Sequence, residues 1–361
     1  MNPATSSSTA QERELFEAAR RGDENAYRPL VEPHRGELHA HCYRILGSVH
    51  DAEDALQEAL LRAWRGLPKF EQHSTLRSWL YRIATNTCLD AIARRPKRVL
   101  PIDYGPSADP HDSPGEPLVE SVWVEPYPDE MLGVEDGLAG PEARYEQRES
   151  LELAFVATLQ HLPPNQRAAL ILREVLGFSA AEVGETLETS VASVNSALQR
   201  ARKTIDERLP EQSQQATLRA LGDERVRELV KGYTNALQHG DVDTLVGMLT
   251  EGASWSMPPV TGWFRGHEAI AAFLTDYPLR ESWRHVPVRA NGQLAVGCYM
   301  WNEDAERYDA AVLDVITLRG AQIEAVTGFL ARWVTRRFGE APELMSAEAF
   351  RRFGLAESLP A

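Results

Sequence analysis

Cysteine, lysine and long apolar runs are scarce in this chain of 361 residues. Its three cysteines, Cys42, Cys88 and Cys298, are far apart and odd in number. They make neither a disulfide framework nor a CxxC metal motif, which excludes a disulfide-stapled scaffold. No apolar stretch is long enough to span a bilayer, so no membrane association is expected. The opening MNPATSSSTAQERE lacks a basic region followed by an apolar core and does not read as a secretory signal. A reduced, cytoplasmic protein is the expectation. Of 38 basic residues only Lys69, Lys97, Lys203 and Lys231 are lysine. That usage points to a GC-rich coding genome and carries no information on fold.

Acidic charge is in excess, with a formal net charge of −15. Residues 1–98 hold 15 basic and 13 acidic side chains, 99–148 hold 2 and 12, 149–210 hold 6 and 8, and 211–361 hold 15 and 20. Two thirds of the excess therefore sits in 99–148. Such a segment repels DNA and suits a basic protein groove. The near-neutral flanks leave nucleic-acid binding open.

Residues 11–98 are helical by pattern and nearly free of proline and glycine after Gly36. Residues 99–148 are rich in Pro, Gly and Asp without sustained periodicity, as a linker is. Trp123, Tyr127 and Leu132 make it too apolar for an inert tether. Helical periodicity resumes over 149–209, and 210–222 reads as a short polar connection. From 223 there are helical patterns (Val226 to Leu237, Val242 to Leu249, His267 to Phe273). Strand-like runs follow near 283–290, 293–301, 308–318 and 322–331, broken at Gly292 and Gly320. This order predicts an α+β domain with a curved antiparallel sheet.

The most informative stretch is SAAEVGETLETSVASVNSALQRARKTI, residues 179–205. Ser179 and Glu182 form a capping box, and Val183 and Leu187 give the helix a buried face. Ser190 is placed to cap a second helix. Val191, Val194, Leu198, Ala201 and Ile205 recur every three or four residues and are expected to face inward. Ala192, Ser193, Ser196, Gln199, Arg200 and Lys203 fall on the other side. Small polar residues there can approach base edges, and the basic ones can hold phosphates. A helical hairpin in an ordinary core has the same pattern.

Residues 51–64 are strongly amphipathic, with Ala52, Ala55, Leu56, Ala59, Leu60, Ala63 and Trp64 as the core stripe. Asp54, Gln57, Glu58 and Leu61 share another face. Its leucine fits docking on a basic partner, although a solvated acidic face remains the alternative. A helix near Thr75 follows, with Leu80, Ile83, Ala84, Thr87 and Ala91 inward. Arg82, Asn86, Asp90 and Arg94 form a stripe on which Asp90 is expected to pair with Arg94. Arg and Asn on one stripe suit phosphate and base-edge contacts. The preceding loop, Leu67 to Thr75, carries one aromatic, Phe70, and could hold an unstacked base or be a plain connection. His34, His39, His41 and Cys42 cluster in sequence, but fan over more than one helix face, so no metal site is expected.

The runs CYRILGSVHDAEDALQEALLRAW, FEQHSTLRSWLYRIATNTCLDAIARR and LPPNQRAALILREVLGFSAAEVGETLETSVASVNSALQRARKTI together resemble an extracytoplasmic-function sigma factor of the sigma-70 family. WVEPYPDEML and GWFRGHEAIAAFL resemble a subgroup with a C-terminal SnoaL-like domain. The resemblance implies two all-α sigma domains, the second with a helix-turn-helix, followed by an α+β SnoaL-like cone. It divides the chain into 11–98 (region 2), 99–148 (linker), 149–210 (region 4), 223–338 (cone) and 339–361 (tail). It places Asp54, Gln57, Glu58 and Leu61 against RNA polymerase, with the β and β′ subunits as partners. Phe70, Gln72, His73, Ser74 and Thr75 would capture a flipped base of the −10 element, and Asn86 and Arg94 would meet its upstream edge. Ser190 to Lys203 would read the −35 element, and the linker would run through the polymerase cleft. Many relatives carry basic residues where Ser193, Asn195 and Ala197 stand here, which implies weaker electrostatic binding and more reliance on the tether.

In the cone, His267, Asp276, Glu303 and Asp314 are candidate polar groups, with Trp255, Trp263, Trp283 and Trp301 as candidate walls. Flanked by Leu313 and Val315, Asp314 is expected to point to solvent or a backbone partner. Tryptophans in this number are more often core than ligand cage. Catalytic residues, cofactors and metals are not expected. A cone ligand and an anti-sigma factor are candidate partners. The alternatives are a stand-alone DNA-binding regulator, or an enzyme or ligand sensor of the SnoaL type fused to a DNA-binding module.

Overall fold

Hydroxyl side chains set the helix starts. Ser48 accepts a hydrogen bond from the backbone N–H of Asp51 at 3.0 Å, Thr75 from Ser78 at 3.1 Å, Ser179 from Glu182 at 3.3 Å and Ser213 from Ala216 at 3.1 Å. Each satisfies a donor that a first helical turn leaves open. The computed structural model describes residues 13–71, 74–111, 115, 117–118, 122–132, 148–331 and 347–361. The chain divides into two compact units, Met1–Arg95 with Leu162–Asp206, and Pro96–His161 with Glu207–Ala361.

The first unit is helical. It contains α1 (13–20), α2 (Glu24–Val31), α3 (Arg35–Leu46), α4 (Val49–Gly66) and α5 (Leu76–Ile92). Past α6 (Leu153–Gln160), which belongs to the second unit, come α7 (Pro164–Leu170), α8 (Ala180–Thr186) and α9 (Val191–Arg208). Gly47 ends α3 at φ 71°, a left-handed conformation that glycine adopts without steric cost. Ala52, Ala55, Leu56, Ala59, Leu60 and Ala63 are buried on α4, as their spacing requires. Trp64 is half-buried against Tyr27, with ring centroids 5.0 Å apart.

The second unit is a curved sheet under helices. α10 (Gln214–His239), broken at Gly222, and α11 (Val242–Gly247) lead into β1 (Leu249–Ser256) and β2 (Trp263–Arg265). After α12 (His267–Asp276) come β3 (Trp283–Ala290), β4 (Gln293–Asn302), β5 (Arg307–Arg319) and β6 (Gln322–Leu330). The sheet order is β2-β1-β6-β5-β4-β3. β1 and β6 pair in parallel, and the other neighbours on that path are antiparallel. Register shifts interrupt β1–β6, β4–β5 and β5–β6, and such irregularities bend strands. The four strand-like runs from 283 onward stand within a residue or so of their expected places.

Two expectations are corrected. Residues 210–222 are not a plain connection, because α10 begins at Gln214. The Gln214 side-chain amide donates to Leu318 O at 2.9 Å and accepts from Leu318 N–H at 2.7 Å, filling a gap in the sheet as a backbone would. Residues 347–361 are part of the fold rather than a tail: α13 (Ala347–Arg351) precedes β7 (Ser358–Leu359), which pairs with β5. Phe350 is fully buried against Tyr299, and Leu355 fills the space that Gly297 leaves by having no Cβ. Residues 149–161, at the start of the expected region 4, also pack with the cone, where Leu153 N–H donates to Gln293 Oε1 at 2.7 Å and Asn291 Nδ2 donates to Leu151 O at 2.8 Å.

The acidic segment is strapped to the cone. Trp123 and Tyr127 are fully buried. Tyr127 and Asn291 exchange two hydrogen bonds of 2.8 Å, one through the Asn291 side chain. Ala108 N–H donates to Trp263 O at 2.8 Å and Leu118 N–H to Pro259 O at 3.1 Å. These bonds satisfy backbone groups that a free tether would leave to water. The side chain of Leu132 lies outside the described residues.

Candidate nucleic-acid interface and cone cavity

α8 and α9 form the helix-turn-helix. The capping box is complete: Ser179 Oγ accepts from Glu182 N–H, and Glu182 Oε2 accepts from Ser179 N–H at 2.8 Å. These bonds hold the Glu182 carboxyl below its ordinary range. A Cβ on Gly184 would sit 2.9 Å from Thr189 O, so only glycine lets the turn fold back this closely. Ser190 Oγ accepts from Ser193 N–H at 3.1 Å and caps α9. Val194, Leu198 and Ala201 are buried. Ala192, Ser193, Ser196, Gln199, Arg200 and Lys203 are all exposed. Val191 departs from its expected inward position: it is 46% exposed, because the first turn projects past the α8 contact.

Arg82 and Asp90 on α5 and Arg94 in the turn after it are exposed and Asn86 is half-buried, so the polar stripe faces outward. Asp90 does not hold Arg94. Its carboxylate accepts from Arg62 at 2.9 Å, and Arg62 also binds Glu58 at 2.8 Å, a bridge between α4 and α5 that outcompetes the pair along one helix. Asp54, Gln57 and Leu61 are exposed on α4, Leu61 at 50%, and Glu58 is half-buried beside Arg62. A half-exposed leucine among acidic groups is a mixed surface suited to docking.

The loop before α5 is only partly available. Phe70 is 7% exposed, stacked on Trp79 with centroids 4.6 Å apart and edge-on to Phe16 at 5.9 Å. It is a core residue and offers no free face to a base, which corrects its place among the base-capturing residues. Ser74 and Thr75 are exposed, Thr75 serving as the α5 cap. Gln72 and His73 lie outside the described residues. The histidine cluster disperses: His34 binds Glu37 at 2.7 Å and His41 binds Thr85 at 2.8 Å.

A contact within the first unit was not foreseen. The Arg77 guanidinium carbon lies 4.7 Å from the Tyr81 ring and 5.6 Å from Phe178, and those two rings meet edge-on at 5.5 Å. Arg167, buried under α7, donates to Ile45 O and Leu162 O. Burial brings its guanidinium down to about 10. Arg167 thereby packs α7 on α3, and Phe178 packs the start of the helix-turn-helix on α5. Aromatic residues at 79 and 81, on opposite sides of one helix, were the available signal.

In the cone, a cavity of about 310 Å³ is walled by Trp255, Phe273, Tyr277 and Trp283, with Asp314 and His285 among its polar lining. Asp314 is turned inward, 4% exposed, against expectation. The β5 register sends it to the concave face, where Tyr233 Oη donates to Oδ2 at 2.9 Å and Cys298 Sγ lies 3.4 Å away. Burial raises its carboxyl to about 6 against the lowering effect of these two bonds. Trp263 and His267 do not line the cavity: Trp263 Nε1 donates to Gly105 O at 2.8 Å, and His267 Nε2 lies 3.3 Å from Leu249 O. Trp301 stands edge-on to Tyr308 and Glu303 is exposed in a turn. Tyr233, His285 and Cys298 were missed, since the packing of α10 brings Tyr233 to Asp314 and only the register of β3, β4 and β5 places His285 and Cys298 at the cavity.

Sigma-70 region 2 matches residues 30–98, sigma-70 region 4 matches 152–205, and a SnoaL-like domain matches 230–326. The ECF RNA polymerase sigma factor SigG of Mycobacterium tuberculosis is 43% identical over 327 residues, 89% of this chain and 84% of that protein. The chain belongs to the ECF RNA polymerase sigma factors. SigW of Bacillus subtilis is 29% identical over 192 residues, 53% of this chain and 92% of the relative. The crystal structure of the M. tuberculosis extracytoplasmic function sigma factor SigJ shares the fold, with a TM-score of 0.54 at 22% identity over 89% of this chain and 97% of that one. This sigma factor therefore directs transcription initiation and carries a SnoaL-like C-terminal domain. No helix among its described residues is long and apolar enough to cross a membrane.

Proposed function

We propose that this sigma factor reads the −35 element through Ser190, Ala192, Ser193, Ser196, Gln199, Arg200 and Lys203 on α9. The observation that carries this reading is the exposed face of α9 opposite buried Val194, Leu198 and Ala201. Ser74, Thr75, Asn86 and Arg94 contact the −10 element, and Asp54, Gln57, Glu58 and Leu61 dock on RNA polymerase through its β and β′ subunits. The working boundaries of the two sigma regions are 11–98 and 149–210. The protein acts in the cytoplasm and has no catalysis of its own. An anti-sigma factor, where one acts, would cover the α4 face.

The cone regulates. Its bonds to Tyr127, Ala108 and Leu118 hold the acidic segment that a sigma factor threads through polymerase, so the cone biases how readily that segment is released. The cavity beside Asp314 favours a ligand-sensing cone over an inert one. The test is transcription in vitro with the full-length chain, core RNA polymerase and fragmented genomic DNA, with sequencing of transcript 5′ ends. New starts sharing two upstream elements are the expected result. Starts no different from core alone would overturn the reading.

A further inference from the structure

The cone cavity is apolar except for a few groups, and most of their charges are negative. Asp314, Asp276 and Glu281 line it. Arg280 also lines it, but its guanidinium is bound to Asp276 at 2.9 Å. His285 is uncharged near neutral pH, since burial lowers it to about 4, and its Nδ1 is buried without a hydrogen-bond partner. The lining thus carries more negative than positive charge, with its one arginine already paired. An anionic ligand would meet this field unfavourably, and a neutral one would leave the Asp314 carboxyl partly uncompensated.

The walls add a second selection. The faces of Trp255, Trp283 and Tyr277 attract cations as well as flat apolar surfaces. Asp314 is held in place from behind by Tyr233 at 2.9 Å. Its Oδ1 lies 2.8 Å from where a Cβ on residue 328 would stand, so Gly328 makes room for the carboxyl. A fixed carboxyl in an aromatic cavity matches one charge-assisted donor on an otherwise apolar molecule.

We propose that the cone binds an organic amine, with a flat apolar body seated against Trp255 and Trp283 and one protonated amino group on the Asp314 carboxylate. This rests on the reading of the cone as a ligand-sensing domain. The ligand class and that reading fail in different ways.

The test is calorimetry on the full-length protein near neutral pH with three probes of one body: tryptamine, tryptophol and indole-3-acetate. Tryptamine is expected to bind roughly tenfold or more tightly than tryptophol, the worth of a charge-assisted hydrogen bond, with the acetate weakest. Asp314→Asn should remove the preference for the amine, and Trp283→Ala should weaken all binding. Tryptophol binding as tightly as tryptamine, or the acetate binding best, would overturn the ligand class and leave a ligand-binding cone. Failure of all three to bind would overturn both. The ranking on the unaltered protein decides the matter even where a variant does not fold.

Discussion

Tyr233 on α10 and Asp314 on β5 meet through a hydrogen bond of 2.9 Å inside the cone, 81 positions apart in the chain. Burial holds the Asp314 carboxyl at about 6, well above an ordinary aspartate. The folded cone therefore favours the protonated form, and the sign follows. Stability from this group is complete below pH of about 4, declines as pH rises to about 6, and is level above that. Chemical denaturation across this range, followed by tryptophan fluorescence, should show the decline. Asp314→Asn should make it shallower, the remainder belonging to Glu152, whose carboxyl burial raises to about 7; an unchanged slope would assign the titration to another group.

Phe70 and Trp79 stack at 4.6 Å in the first unit, and this decides what Phe70→Ala does. As a core truncation it should cost about 3–5 kcal/mol and lower the thermal midpoint. Ser74→Ala, at an exposed loop position, should leave the midpoint nearly unchanged while weakening promoter opening. Differential scanning calorimetry beside a permanganate footprint of open complexes separates the two. A stable Phe70→Ala protein with a pure opening defect would restore the base-capturing role.

Much of this molecule was legible because periodicity encodes burial. Ala52, Ala55, Leu56, Ala59, Leu60 and Ala63 repeat at helical spacing and lie buried on α4, and the strands from Trp283 to Leu330 stand close to where alternation and glycine breaks placed them. What was hidden depends on tertiary register. In β1 only Leu249 carries a readable signal, as the last residue of a helical pattern, and pairing with β6 makes the segment a strand. Asp314 between two apolar neighbours fits either face until β4 and β6 fix the pleat. Phe70 in a polar loop gives no local hint that Trp79 and Phe16 will cover it. Asp90 has a partner at four-residue spacing, but Arg62 reaches it from another helix.

Polymerase docking is expected to be sensitive at Asp54 and Leu61 and only indirectly at Glu58. Asp54 and Leu61 are exposed, so Asp54→Ala with Leu61→Ala should change stability by less than about 1 kcal/mol. Binding to core RNA polymerase should fall at least tenfold, roughly the loss expected when a docking anchor is truncated. Glu58→Ala instead releases Arg62, which remains bound to Asp90. Its effect on binding should be smaller. Fluorescence anisotropy against core enzyme measures all three. Equal affinities would mean that this face is a solvated acidic surface.

Removing the cone is a poor way to test the recognition helix, since α6 is tied to Gln293 and Asn291 and Glu152 accepts from Gln215 N–H at 2.9 Å. A truncation after Leu209 would strip those partners and expose the Glu152 carboxyl that burial raises to about 7. Point variants on α9 avoid this. Arg200 is exposed on the face opposite the core, where its guanidinium is expected to neutralise a phosphate without reading a base. Arg200→Ala should weaken holoenzyme binding about equally on different promoters and reduce the slope of log affinity against log salt by about 1. Ser196→Ala, at a small polar position nearer the N-terminus of α9, should leave the salt slope unchanged and alter the ranking of promoters. Salt titrations of holoenzyme on a set of promoters that differ at −35 measure both quantities. Were Arg200→Ala to reorder promoters without touching the slope, the division of α9 into a base-reading end and a phosphate-holding end would be reversed.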